Sequence, residues 1–289
     1  MAYPGVYLAK KKDGTTYYRS SITFHNKHIS LGSFPTEQLA HKAYVTATNI
    51  LYKTGHQSDS SRFDKKKSKL NDIPHAEDYL KIRTCLGFDK WITLLNFRDN
   101  LIYCKNPIYL MQKYFLYYIN HSLVLKFDTD DLFYYMNHRI MQRGGHLFVA
   151  DYGMQVNILS RYGIKNFAVV GRDYKFVNGD PSDFRYGNIQ IINRYHGVTK
   201  SVVKGRDIFI AKLHLKGDYI IGRYSTETEA AIAYNKAATY VKGKGFHKNF
   251  PENYIENIDD IMYAKIYNSV RISKKIRDSV STNFNNPIT

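Results

Sequence analysis

Binding or catalysis needs side chains that carry charge, donate electrons or hold a metal, and here one kind dominates. Lysine and arginine number 42 against 25 aspartates and glutamates, a formal net charge of +17 and a pI near 9.6. The cations fall in short runs toward the two ends. Lys10, Lys11 and Lys12 precede Arg19, Ser21, Thr23 and His28, while Lys200, Lys204 and Arg206 precede Lys212 and His214. So large an excess favours a polyanionic partner over an ordinary small substrate, and nucleic acid is the first candidate. Other chemistries are thin. The two cysteines, Cys85 and Cys104, are too far apart for a metal knuckle and too few for a disulfide scaffold. His138 and His146 lack a ligand spacing and read as surface or hydrogen-bonded residues. The residues therefore imply no metal and no cofactor.

The apolar share of 44% against 23% charged is that of a folding chain, and 289 residues suffice for one large or two to three small domains. The longest apolar run of the aromatic middle, Tyr114–Ile119, is far short of a membrane span. The first residues lack an apolar signal region and reach Lys10 at once, so an intracellular, soluble protein with no membrane partner is expected.

What positions the cations is a repeat. Segment 31–55 matches 221–245 at an offset of 190: Gly32/Gly222, Thr36/Thr226, Glu37/Glu227, Ala40/Ala230, Ala43/Ala233, Tyr44/Tyr234, Ala47/Ala237 and Gly55/Gly245 are identical. Upstream, Gly5-Val6 answers Gly197-Val198 at an offset of 192, so the second copy is two residues tighter in its hairpins. Each copy reads as three strands and a helix. Val6–Ala9, Thr16–Phe24 and His28–Phe34 are β-branched or aromatic runs separated by turn residues. Thr36 and Thr226 stand at helix N-caps, the second with Glu229 in a capping box. The alanines share one helical face, which implies a helix lying close on its sheet. The other sheet face is left for solvent or a ligand. On it Tyr17, Arg19, Ser21 and Thr23 alternate with Tyr18, Ser20, Ile22 and Phe24. A cationic ribbon of this width enters a DNA major groove as a helix does.

Tyr3-Pro4-Gly5-Val6, Leu31-Gly32-Ser33-Phe34, Ala43-Tyr44 and Gly55 resemble the ethylene-response-factor type (Apetala-two type) DNA-binding domain. The second copy is closer, with Tyr195-His196-Gly197-Val198, Ile221-Gly222-Arg223-Tyr224, Thr226 to Tyr234 and Asn249-Phe250-Pro251. The resemblance implies a three-stranded sheet in the major groove backed by a helix. That family's sheet is rich in Arg and Trp, whereas the matching positions hold Tyr7, Thr23, His28 and Ser30, then Thr199, His214 and Ile220. The family's base preference therefore does not transfer.

The segment before the second copy, from Tyr174 to Ile189, resembles an HNH homing-endonuclease domain of the phage and mobile-element kind. That pattern has a strand ending in Asp-His, an Asn-Gly turn, then Asp-Asn-Arg, two residues and Asn-Leu. Asn178-Gly179, Asp183, Arg185, Asn188 and Ile189 match. The Asp-His pair is replaced by Lys175-Phe176, and Ser160 stands where the upstream His of Leu-His-Arg belongs. Such chemistry needs a histidine to deprotonate water and ligands to hold a divalent cation. Phenylalanine accepts no proton and lysine repels the cation. Catalysis is expected to be lost, with Asp183 and Asn188 kept to cap the helix and fix the turn.

The sequence thus reads as an α+β protein of five parts. Residues 1–57 and 194–252 are the sheet-helix modules. Residues 58–125 are a basic linker and an aromatic segment of unassigned fold, whose tyrosines suit a core better than a base-stacking platform. Residues 126–193 are the degenerate HNH-like domain. Residues 253–289 are a basic helix and tail that dock on the body, contact phosphate, or pair with a second copy or another protein. The expected function is non-enzymatic binding of double-stranded DNA in a regulatory or architectural role. An active homing-type nuclease with an atypical metal site and an RNA-binding or structural protein are the alternatives.

Overall fold

Alternation over Thr16–Phe24 and the alanines behind Thr36 dictate a meander backed by a helix, and the computed structural model contains both. It describes residues 3–52, 73–82, 84–246, 248–256 and 258–281, so Gly55 and the basic stretch 58–69 lie outside the described residues. Strands β1 (Val6–Lys10), β2 (Thr16–Phe24) and β3 (Lys27–Phe34) form an antiparallel sheet, followed by α1 (Glu37–Tyr52). Ile22, Phe24, Ile29 and Leu31 are buried in one cluster with Ala43 and Ala47. The Thr36 hydroxyl accepts the Leu39 N–H at 3.3 Å and so starts the helix.

The chain divides into two compact units, residues 1–158 with 180–188, and 159–179 with 189–289. The first continues with α2 (Ala76–Ile82), α3 (Phe88–Asn100), the sheet β4 (Ile108–Leu110), β5 (Tyr114–Tyr118) and β6 (Val124–Asp128), then α4 (Leu132–Asn137). A further meander, β7 (Ile140–Arg143), β8 (His146–Asp151) and β9 (Met154–Asn157), ends it. The aromatic stretch is core. Trp91, Phe115, Tyr117 and Tyr118 are buried, and both tyrosine hydroxyls are spent on backbone, Tyr118 on the Pro74 carbonyl at 2.8 Å and Tyr117 on the Ile140 N–H at 2.9 Å. Segment 180–188 joins this unit beside β6, where the Phe184 N–H donates to the Lys126 carbonyl at 2.7 Å. Phe184 also stacks on Phe127.

In the second unit β10 (Tyr174–Phe176) pairs with β11 (Ile189–Ile191). The second meander follows as β12 (Val198–Val203), β13 (Arg206–His214) and β14 (Asp218–Tyr224), with α5 (Glu227–Gly243) behind it. Thr226 and Glu229 close the reciprocal capping box. The chain ends in α6 (Asp260–Ser269) and α7 (Lys274–Ser281). The tail docks on its own unit. Val270, Ile276 and Val280 share a core with Ala237 and Val241, and the Lys236 ammonium donates to the Tyr267 and Val270 carbonyls at the end of α6, at 2.6 and 2.8 Å. The class is α+β, with several small antiparallel sheets. Residues 126–193, expected as one domain, are instead shared between the two units. No described helix is long and apolar enough to cross a membrane.

Candidate nucleic-acid interface

The two modules agree in detail. Ser20 pairs with Gly32 and Ser21 with Ser30, leaving Leu31 as a bulge, while Ala211 pairs with Gly222 and Lys212 with Ile220, leaving Ile221. Both bulged residues are buried. A bulge bends and twists the strand that carries it, so both sheets curve at the same place. Gly5 and Gly197 are equivalent at φ +69° and +72°, and their carbonyls accept the N–H of Ser21 and Lys212 at 3.0 and 2.7 Å. From Gly5/Gly197 through Ser21/Lys212 to Leu31/Ile221 the offset falls from 192 through 191 to 190. Each hairpin of the second module is one residue shorter.

Strand parity defines the outer faces. In the first module Tyr7, Arg19 and Ser33 form one cross-strand row and Thr23 and His28 another. All five are exposed. The Arg19 guanidinium donates to the Tyr17 hydroxyl at 2.9 Å. Lys10, Lys11 and Lys12 are exposed in the adjoining hairpin. Ser21 is a correction: it is only 8% exposed. So short a side chain does not rise clear of its neighbours. Lys212 at the same place is long enough to remain half-exposed.

In the second module Thr199, Ile210 and Arg223 form one outer row and Lys212 and Ile220 another. Lys204 and Gly205, at φ +50° and +74°, make the two-residue turn that presents Arg206. Lys200 is a second correction. It has the parity of buried Val198, the helix side, and its ammonium is bound to Asp207 at 2.6 Å. His214 is on the outer face but bonds Asp218 at 2.7 Å, and that hydrogen bond is the main cause holding the Asp218 carboxyl low. Both pairs are exposed, the kind that contributes little and exchanges readily for another anion. Arg223 was missed in the sequence; its alternation with the inward Gly222 and Tyr224 was the available signal.

The HNH-like residues divide between the two units. Ser160 is exposed in a 3-10 turn, Ile158–Tyr162. Lys175 and Phe176 sit on β10 opposite Gln190 and Ile189. These three belong to the second unit, whereas Asp183, Arg185 and Asn188 belong to the first. Asp183 is fully buried, and Arg185 binds both its oxygens at 2.9 and 2.7 Å, with the Lys126 ammonium at 3.9 Å. Burial alone would raise this carboxyl, but the Arg185 bonds outweigh it and hold it below the ordinary aspartate value. Asn188 donates to the Asp183 carbonyl at 2.8 Å and fixes the turn. The expected helix cap is absent here, since only a 3-10 turn, Tyr186–Asn188, follows. Among the described residues no three His, Cys, Asp or Glu side chains stand close enough to share a metal ion. No protein-family model, curated protein or solved structure matches this chain.

Proposed function

We propose that the chain binds double-stranded DNA through the outer faces of its two sheet-helix modules and does not cut it. The observation that carries this reading is the equivalence of the two frames, each of which leaves one sheet face outward. Each is a bulged, three-stranded ribbon left uncovered by its helix, with Arg19 or Lys212 and Arg223 standing on it. A two- or three-stranded ribbon fits the major groove of B-form DNA. The A-form groove of RNA is too deep and narrow for it. The net charge supplies affinity through phosphate contacts, and the face residues supply base preference. The role is regulatory or architectural occupancy. Loss of hydrolysis is supported by Phe176 in place of a proton acceptor and by Asp183, whose charge is already matched by two cations.

A titration of duplex DNA across salt concentrations tests both halves. If about eight phosphates are neutralised, log K falls against log salt with a slope near −7. A slope near zero ends the DNA reading. Supercoiled plasmid with magnesium or manganese stays intact, and nicking that vanished with Asp183→Ala would reinstate the nuclease.

A further inference from the structure

Beside the outer face of the second module lies a cleft of about 550 Å³, built wholly within the second unit. Its walls come from the loop before β10, the Tyr195–Thr199 entry to the sheet, the facing ends of β13 and β14, Tyr234 of α5 and the chain after α5. Arg172, Lys212 and Lys248 line it, with His196 and His214. Asp173 and Asp218 are the carboxylates there, and each is already engaged, Asp173 by Arg172 at 2.6 Å and Asp218 by His214.

The walls are fixed. Asp173 is 4% exposed and accepts the Val169 N–H at 2.8 Å as well as the Arg172 guanidinium. Asn193, also buried, donates to the Arg172 carbonyl at 2.6 Å and accepts the Lys200 N–H at 2.8 Å, tying the loop to β12. Arg172 is therefore held at its backbone by Asn193 and at its guanidinium by the Asp173 carboxylate, with more than half of its side chain open to solvent. The Lys248 ammonium is set by the His214 carbonyl at 3.0 Å. Tyr234 lines the cleft at 1% exposure with its hydroxyl buried and unpartnered. Three cations thus face two carboxylates, an excess of one positive charge.

We propose that this cleft takes a phosphate ester, held by Arg172, Lys212 and Lys248. The proposal rests on the DNA reading only for the source of the phosphate, a backbone phosphodiester or a free nucleotide. His196 reports on it. Burial depresses its pKa, the Arg172 and Lys248 charges push the same way, and Asp173 opposes them. An anion in the cleft reverses the balance and raises the pKa.

The test follows the His196 ring by NMR in the full chain, assigned by its loss in His196→Gln, during pH titrations with inorganic phosphate, a deoxynucleoside monophosphate, or a 20-base-pair duplex. The proposal expects a rise of about one unit, abolished in Arg172→Gln/Lys248→Met and reduced in Lys248→Met alone. A rise with duplex only assigns the backbone as the source. A rise with mononucleotide but no duplex binding keeps the cleft and removes the DNA reading. Tight duplex binding with no ligand moving His196 overturns the cleft and leaves the DNA reading standing. A rise that survives the double substitution also overturns it.

Discussion

The two modules share a frame and differ in what they display on it. Glycine, bulge, cap and alanine face recur position for position, but the outer rows do not. Tyr7-Arg19-Ser33 in the first answers Thr199-Ile210-Arg223 in the second. Packing explains the division. A helix lying on a sheet leaves no room for change at Ala40, Ala43 and Ala47 or their counterparts, all fully buried. An outward side chain meets no such constraint and follows whatever it touches. The surroundings differ as well. The first module shares its core with α3, where Phe97 meets Phe24 edge-on, whereas the second is completed by its own tail.

The shared frame gives the largest expected effect. A Cβ on Gly197 would stand 2.3 Å from the Tyr234 ring and 2.6 Å from the Lys212 carbonyl, at a left-handed φ. Tyr234 is buried and its ring has nowhere to go. Gly197→Ala should cost about 3–5 kcal/mol, the sum of backbone strain and overpacking. Gly5→Ala meets the Tyr44 ring at 2.0 Å and the Ser21 carbonyl at 2.8 Å, a backbone contact like that at Gly197, but Tyr44 is half-exposed where Tyr234 is buried. The expected cost there is about 1–3 kcal/mol. Urea unfolding curves decide, and equal losses would erase the distinction between a closed and an open frame.

The frame was the part legible in the sequence. Alternation over Thr16–Phe24 and Arg206–His214, the Thr caps and the alanine periodicity are local signals, and the strands and helices lie where they indicate. What was hidden depends on contacts distant in the chain. Ser21 has outward parity but is buried, which alternation alone does not reveal. Lys200 looked like a free cation because neither the parity of β12 nor its bond to Asp207 is set locally. Segment 180–188 carries the best HNH-like residues, yet its backbone bonds to Lys126 place it in the other unit. The role of Arg172 emerges only once Asp173 and Asn193 meet, twenty residues apart in sequence.

The differing faces predict a divided footprint. If each module reads its own half-site, Arg19→Ala weakens protection at one end and Lys212→Ala at the other. Arg19→Ala should cost about 1–3 kcal/mol on its preferred sequence, the range for a base contact, while Lys212→Ala removes a phosphate contact and lowers the salt slope by about 1. Linkage keeps the remaining module bound, so occupancy falls in part only. Footprinting on one selected duplex reads both ends together. Loss across the whole footprint from either substitution would mean that the modules act as one surface.

The smallest effect is the most discriminating. Ile208, Ile210 and Ile220 all have outward parity, where the first module has Tyr17, Arg19 and Ser30. Ile220 is 43% exposed, on a face with no core to join. The apolar feature of a major groove is the thymine 5-methyl group, and isoleucine is suited to it, while the nearby Lys212 and Arg223 suit phosphate or guanine. Replacing thymine by uracil removes that methyl and leaves base pairing intact. Burial of one such group is worth about 0.8 kcal/mol, roughly fourfold in affinity. Uracil substitution in the second module's half-site should therefore weaken binding about fourfold per contacted thymine, and in the first module's half-site hardly at all. In Ile210→Ser the sensitivity to uracil should shrink while the salt slope stays, because no phosphate contact is lost. Uracil sensitivity equal in both half-sites would mean that the isoleucine ridge does not distinguish the two faces, and that the Arg and Lys contacts alone separate them.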